Sequence, residues 1–281
     1  MVKRGSLYML GTPIGHLGDF SFRGLAVLRQ VALVAAEDTR HTRRLLGHYQ
    51  VAPEVMSLHA HSRPQVIERL LDRVEEGNDV AYVTDAGTPG ISDPGALLAA
   101  RAHERGIPVV PIPGPAAVIA ALAAAGLPAD RFAFAGFLPK KGSSRVALLE
   151  RIAAEPWTTV CYEAPGRTVA LLEDLAASCG RDRPAAVARE LTKVHEEVRR
   201  GTVGELALYY GEHPPRGEVT VVVGGAPRGV APVPAAAPDA GQALALVASM
   251  RAGGSAPGAI AKELAQRLGI SRHDAYRLLT R

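Results

Sequence analysis

Short apolar runs alternate with amphipathic or alanine-rich stretches through the first 126 residues, and each run ends in a loop rich in Gly, Pro or charge. Residues 6–10 read as the first strand and lead into Gly11-Thr12-Pro13-Ile14-Gly15-His16-Leu17-Gly18. A helix over 21–30 and a strand over 31–36 follow. That strand ends in Glu37-Asp38-Thr39-Arg40, with a helix to about residue 49. Residues 55–58 form a short strand before His59-Ala60-His61. The next stretch, 64–76, carries Val66, Ile67, Leu70, Leu71 and Val74 on one helical stripe. The run 80–83 reads as a buried strand, and 84–95 as a loop with Pro94 opening a helix to about residue 105. A strand over 108–112 feeds Pro113-Gly114-Pro115-Ala116-Ala117 and an alanine-rich helix to Gly126. Strands alternating with helices across short loops predict a mostly parallel sheet covered on both faces.

The pattern changes near Leu127-Pro128-Ala129-Asp130, a domain boundary. Beyond it come 132–137, a helix over 143–154, a strand over 158–162 and a helix over 168–178. The segments 185–188 and 197–200, a short helix and 218–223 complete a mixed α/β second domain. The expected division is 1–127, 128–225, a Pro/Ala-rich linker over 226–240 and a C-terminal domain over 241–281. In that last part, helices over 256–268 and 272–279 meet at Gly269-Ile270-Ser271, the outline of a helix-turn-helix.

Composition adds limits. The 281 residues suit two domains with cores of their own. Hydrophobic content is 47%, yet no apolar run reaches membrane-spanning length and no signal-peptide core opens the chain, so a cytoplasmic protein with no membrane partner is expected. Cys161 and Cys179 provide neither a disulfide framework nor metal-ligand spacing, and both read as reduced thiols. The net charge is +4, and residues 241–281 carry all of it, with six basic side chains against two acidic ones. Aromatics make up only 5%, which argues against a base-stacking platform.

Three loops at strand carboxyl ends, 11–18, 85–95 and 113–117, are placed to converge where open α/β sheets bind ligands. None holds G-x-G-x-x-G, and the chain has no G-x-x-x-x-G-K-[ST]. A nicotinamide dehydrogenase or P-loop NTPase is therefore disfavoured, and a nucleoside ligand without phosphates, such as S-adenosylmethionine, fits better. Asp38 reads equally as a helix N-cap and as a functional acid. His59 and His61 lack a third ligand at useful spacing, so polar loop residues are favoured and no metal is expected. Lys140, Lys141 and Arg145 open a helix, as a solvated face or as a phosphate contact. The charge-dense 189–197 segment follows a buried-looking strand, which favours a place lining a cleft.

Taken together, Gly11-Thr12-Pro13-Ile14-Gly15, Ala36-Glu37-Asp38-Thr39-Arg40, the loop 82–95, Pro113-Gly114-Pro115, Gly136-Phe137-Leu138-Pro139 with Lys141 and Arg145, Tyr162-Glu163-Ala164-Pro165 and Arg189-Glu190-Leu191-Thr192-Lys193 resemble the tetrapyrrole methylase family. Within it they resemble the branch that methylates small-subunit ribosomal RNA at a cytidine 2′-hydroxyl. The likeness runs in order from Leu7 to Gly225. It implies two α/β domains with S-adenosylmethionine in the cleft between them, a small helical C-terminal domain and a homodimer. The resemblance places the cofactor at Pro13, Ala86, Gly87, Thr88, Ile91, Ala116, Ala117, Tyr162, Glu163 and Leu191. Two positions depart from the pattern: His16 stands where Asn is usual, and Gly166 where His is usual.

For the implied methyl transfer, Asp38 and Asp85 are the candidate bases, with Arg40 orienting the RNA. Lys140, Lys141, Arg145, Arg272 and Arg277 are the expected contacts to small-subunit rRNA or the ribosomal subunit. A methylase of a small tetrapyrrole and a non-enzymatic nucleic-acid-binding protein are the rival readings.

Overall fold

The computed structural model describes residues 4–227, 247–251, 256–260 and 263. Most of the expected linker, the turn and second helix of the expected helix-turn-helix, Arg272 and Arg277 lie outside the described residues. Two compact units are present. The first comprises the chain up to Gly126 with Val187–Arg199 and Arg216–Val221; the second comprises Leu127–Ala186, Arg200–Pro215 and the chain from Val222.

The first unit is built on β1 (Leu7–Leu10), β2 (Leu33–Ala36), β3 (Glu54–Ser57), β4 (Val80–Val83) and β5 (Val109–Ile112), in the order β3-β2-β4-β1-β5. Every pairing is parallel, with Leu7 opposite both Val80 and Val109 and Leu33 opposite both Glu54 and Val80. All five strands therefore end at one edge. The central runs are apolar without alternation because helices cover both faces.

On one face α3 (Pro64–Glu75) and α4 (Gly95–Glu104) pack Ile67, Leu70, Leu71, Val74, Leu98 and Ala102 against Leu33, Tyr82 and Val80. Leu70, Leu71 and Val74 are fully buried, worth about 1.5–3 kcal/mol each. On the other face α1 (Phe22–Gln30) and α2 (Thr39–His48) pack Val27, Leu28 and Leu46 against Val34, Ala81 and Val83. The α5 helix (Ala117–Ala125) ends at Gly126 in the left-handed conformation, a common helix stop.

Two boundaries differ from expectation for identifiable reasons. Val31 caps the C-terminus of α1, its N–H reaching the Val27 carbonyl, so β2 starts only at Leu33. Pro94 precedes α4 as its capping residue, and its carbonyl accepts from Leu97 and Leu98.

The second sheet is mixed, with order β6-β7-β10-β8-β9: β6 (Phe132–Phe137), β7 (Thr158–Glu163), β8 (Pro184–Arg189), β9 (Glu197–Thr202) and β10 (Val219–Val223). Three helices accompany it: α6 (Ser143–Ala154), α7 (Thr168–Cys179) and α8 (Val203–Glu212), the last started by a capping box between Thr202 and Glu205. The buried guanidinium of Arg183 is compensated by the carbonyls of Ala153 and Gly224. Among the described residues no helix is long and apolar enough to cross a membrane.

Candidate functional site

Three loops knit together at the carboxyl edge of the first sheet. Thr12 and Gly87 exchange backbone hydrogen bonds of 2.9 and 3.1 Å, and Thr88 Oγ1 donates to the Pro115 carbonyl at 3.1 Å. Gly11 and Gly114 pass so closely that a Cβ on either would stand 2.8 Å from the other's backbone. The loop after β4 is braced by Asp93, whose carboxylate accepts from the N–H groups of Gly90 and Gly95 and from the Tyr82 hydroxyl. Burial pushes the Tyr82 phenol far above its ordinary range, so it stays a donor. Asp93 was not singled out from the sequence, although Ser92-Asp93-Pro94-Gly95 is turn chemistry.

The ends of β2 and β4 are joined next. Thr84 Oγ1 donates to Glu37 at 2.6 Å, and the Asp38 N–H donates to Asp85 Oδ1 at 2.8 Å. Asp38 caps α2 by accepting from the Arg40 N–H at 2.8 Å, and its two oxygens also take Arg40 Nε and Nη2. The Arg40 side-chain and backbone hydrogen bonds hold the Asp38 carboxyl well below the usual carboxylate range. Among the described residues, Asp85 has only the Asp38 N–H as a hydrogen-bond partner. The cap expected of Asp38 is present, and its carboxylate is engaged by Arg40.

A fourth segment completes the site from within the first unit. Glu190 and Thr192 both adopt positive φ, 49° and 65°, on either side of Leu191, a conformation that costs energy in non-glycine residues. It is held in place by Lys193 Nζ, which bridges Glu190 and Glu218 at 2.9 Å each, and by Thr192 Oγ1, which accepts from the His16 N–H at 3.0 Å. Gly15 permits this approach, since a Cβ there would stand 2.5 Å from Lys193 Cγ and 2.7 Å from Thr192 Oγ1. His16 keeps a polar capping role, its Nδ1 accepting from the Gly18 N–H. At Gly166 the space is open, with nothing within 4 Å of where a Cβ would stand.

These elements enclose a cavity of about 300 Å³, at the small end of the range for ligand sites. Pro13, Gly15, Thr84, Asp85 and Ala86 line it from the sheet edge, His41 and Arg44 from α2, and Lys193 and Glu218 from the segments beyond. Of the residues expected at the cofactor, Pro13 and Ala86 line this cavity. Gly87 and Thr88 are held in the loop contacts just described, Ile91 is partly exposed, and Ala116 and Ala117 begin α5. Leu191 sits between the two strained residues.

Tyr162 and Glu163 end β7 in the second unit. There Tyr162 meets the rings of Phe134 and Phe137, with centroids 4.9 and 5.5 Å apart. Glu163 is buried; Oε1 accepts from the Ala164 N–H and pairs with Arg167, while Oε2 has no hydrogen-bond partner among the described residues. An orphaned buried carboxylate oxygen is costly unless a ligand donor satisfies it. Within the first unit, small residues along the loops and an acid at the cavity fit a ligand bearing hydroxyls and no phosphate.

Of the expected RNA contacts, Lys140 and Lys141 are exposed. Arg145 is committed internally: its side chain is only 11% exposed, Nε and Nη2 bind Asp174 at 2.8 and 2.6 Å, and Nη1 donates to the Pro139 carbonyl. His59 and His61 lie beyond the end of β3, and the His61 N–H donates to His59 Nδ1. The sequence reading passed over His41 and Arg44, though Thr42, Leu45 and Leu46 already mark the buried stripe of α2 and leave both outside it.

Comparison with known proteins supplies the remaining evidence. Residues 6–207 match the model for tetrapyrrole (corrin/porphyrin) methylases. A ribosomal RNA small subunit methyltransferase I from Synechocystis is 48% identical over 222 residues, covering 79% of this chain and 80% of the relative. A protein of the same name from Escherichia coli O157:H7 is 47% identical, covering 79% of each chain. Among solved structures, a diphthine synthase superposes with a TM-score of 0.63 at 17% identity, covering 78% of this chain and 90% of its own. A uroporphyrin-III C-methyltransferase from Thermus thermophilus, complexed with S-adenosylhomocysteine, superposes at 0.56 and 19%, covering 78% and 97%. At such identities the structural matches speak to fold.

Proposed function

The chain belongs to the tetrapyrrole methylase family, and from that premise we propose that it methylates a cytidine 2′-hydroxyl of small-subunit ribosomal RNA, using S-adenosylmethionine. The relatives' name supports the RNA substrate, with nearly half of the residues identical across four-fifths of the chain. Bound S-adenosylmethionine supplies an electrophilic methyl group on a sulfonium, whose departure as a neutral thioether needs no acid. The protein's tasks are to hold the ribose hydroxyl in line with that methyl group and to receive its proton.

Asp85 is assigned to receive it: the residue lines the cavity, and the Asp38 N–H takes one carboxylate oxygen, which supports the other as the acceptor for the hydroxyl proton. As the new oxygen–carbon bond forms and the carbon–sulfur bond breaks, the hydroxyl proton passes to Asp85. Asp38 is unsuited to that task because Arg40 holds it ionised and saturated. Its role is to cap α2 and to present the N–H that orients Asp85. Pro13, Ala86, Gly87, Thr88, Ile91, Ala116, Ala117, Leu191, Tyr162 and Glu163 are assigned to the cofactor on the family pattern. The partnerless Glu163 oxygen supports its own place among them. A homodimer and a cytoplasmic setting go with this reading on the same family pattern.

The observation that carries the mechanism is the contrast between the free Asp85 oxygen at the cavity and the Arg40-bound Asp38. A tritiated methyl-transfer assay offering the assembled small subunit, deproteinised small-subunit rRNA and uroporphyrinogen tests the activity. Label appearing in RNA, at a cytidine and resistant to alkaline cleavage, is expected. Label only in the tetrapyrrole, or in nothing, would refute it.

A further inference from the structure

We propose that the outward face of α2, with the loop after β3, is the surface along which a single-stranded stretch of the RNA reaches the cavity; this rests on the rRNA reading above. The sequence of α2 is TRHTRRLLGH, without one acidic residue. Thr42, Leu45 and Leu46 are buried, which turns Arg40, His41, Arg43, Arg44 and His48 to solvent. Only Arg40 has a carboxylate partner; among the described residues neither Arg43 nor Arg44 is ion-paired.

Exposed arginines need no explanation in themselves, but the opposite face of the same sheet is arranged differently. There α3 and α4 pair with one another, Arg101 with Glu68 and Arg105 with Glu68, Asp72 and Glu75, while Arg73 of α3 pairs with Glu54 of β3. These helices carry acids among their bases, with Arg69 of α3 lacking an ion pair among the described residues, whereas α2 carries no acid at all.

Topology then connects the open face to the chemistry. Because β2 and β3 are parallel neighbours, the loops after them leave the same edge of the sheet. The exposed His59, His61 and Arg63 follow β3, beside the start of α2. At the other side His41 and Arg44 form part of the cavity wall that also holds Asp85. A ten-residue helix is about 15 Å long, which spans about four stacked nucleotides at roughly 3.4 Å each. Unpaired cations leading to a cavity that holds a carboxylate match a chain of phosphates presenting one ribose. Arg44 is placed for the phosphate nearest the target and Arg43 for a neighbour, contacts that set position without reading sequence.

The test uses the full-length protein and deproteinised small-subunit rRNA, with affinity measured against salt concentration and S-adenosylmethionine binding measured separately by calorimetry. Arg43→Glu/Arg44→Glu should weaken RNA binding at least about tenfold and make the salt slope shallower by about 1.4, two single-strand contacts at roughly 0.7 each. Arg43→Gln/Arg44→Gln should change the slope alike with a smaller loss. Arg43→Glu alone, outside the cavity wall, should weaken RNA binding and bind S-adenosylmethionine as wild type does, and Arg69→Glu on α3 should leave RNA binding unchanged. Wild-type affinity and slope in the paired variants, with wild-type protein methylating the RNA, would overturn this surface and leave the activity standing. Wild-type protein inert toward small-subunit rRNA, naked and assembled, would overturn the activity and this surface together.

Discussion

The ends of β2 and β4 lie side by side, and each is followed by an aspartate, yet the two carboxylates are in opposite states. Asp38 is enclosed by its own helix: it accepts the Arg40 N–H and both branches of the Arg40 guanidinium that reach it. Asp85 accepts one N–H, donated by Asp38 itself, and faces a cavity. One acid has been used to fix the position of the other. The general point is that adjacency in a sheet does not make two carboxylates equivalent; their partners differ, and the proposed mechanism gives Asp38 a structural role and Asp85 the proton.

The sharpest way to break this comparison is to remove each acid in turn. Asp85→Asn keeps the acceptor for the Asp38 N–H and loses the base, so single-turnover methylation should fall by about 10²–10⁴-fold with S-adenosylmethionine affinity little changed. Asp38→Asn retains a helix cap and should slow the reaction far less. A smaller effect is expected from Gly15→Ala. Its methyl group would meet the Lys193 side chain and Thr192 Oγ1, and it should raise the KM for S-adenosylmethionine more than it lowers kcat.

Arg40→Ala sharpens the contrast through pH. In the wild type the folded Asp38 titrates below its ordinary value, so its contribution to stability is complete above the ordinary value and is lost progressively as pH falls below it and on through the lowered folded value. Melting temperatures should therefore fall more steeply for wild type than for Arg40→Ala between about pH 5 and pH 3. Parallel curves would show that the Arg40 contact does not stabilise the fold. The smallest effect expected is at Cys161, which burial pushes up to about 12; its thiol should not react with iodoacetamide in the native protein, and prompt labelling would contradict its place in the β7 core.

Much of the first unit was legible because parallel strands covered on both faces read as unbroken apolar runs: Val80–Val83 and Leu33–Ala36 are buried at every position. The amphipathic stripe of α3 was equally plain, since Ile67, Leu70, Leu71 and Val74 follow the helical period. What sequence could not supply was the partner of each charge. Arg145 meets Asp174 from 29 positions away, and Lys193 meets Glu218 from 25. Asp38 and Arg40 lie two residues apart and still read equally well as cap or catalyst, because only the side-chain geometry shows the guanidinium folded back onto the carboxylate. The charge-dense 189–197 segment already read as lining a cleft, and Lys193 does line the cavity, whereas Glu218, some 200 residues beyond the first loop, carried no such local pattern.

The most direct measurement is a paired single-turnover experiment on Asp85→Asn and Asp38→Asn, at saturating S-adenosylmethionine and small-subunit rRNA, followed across pH. The predicted result is a rate lowered at least about a hundredfold in Asp85→Asn, with Asp38→Asn staying much nearer the wild-type rate. Equal rates in the two variants, or a deeper loss in Asp38→Asn, would contradict the assignment of the proton to Asp85.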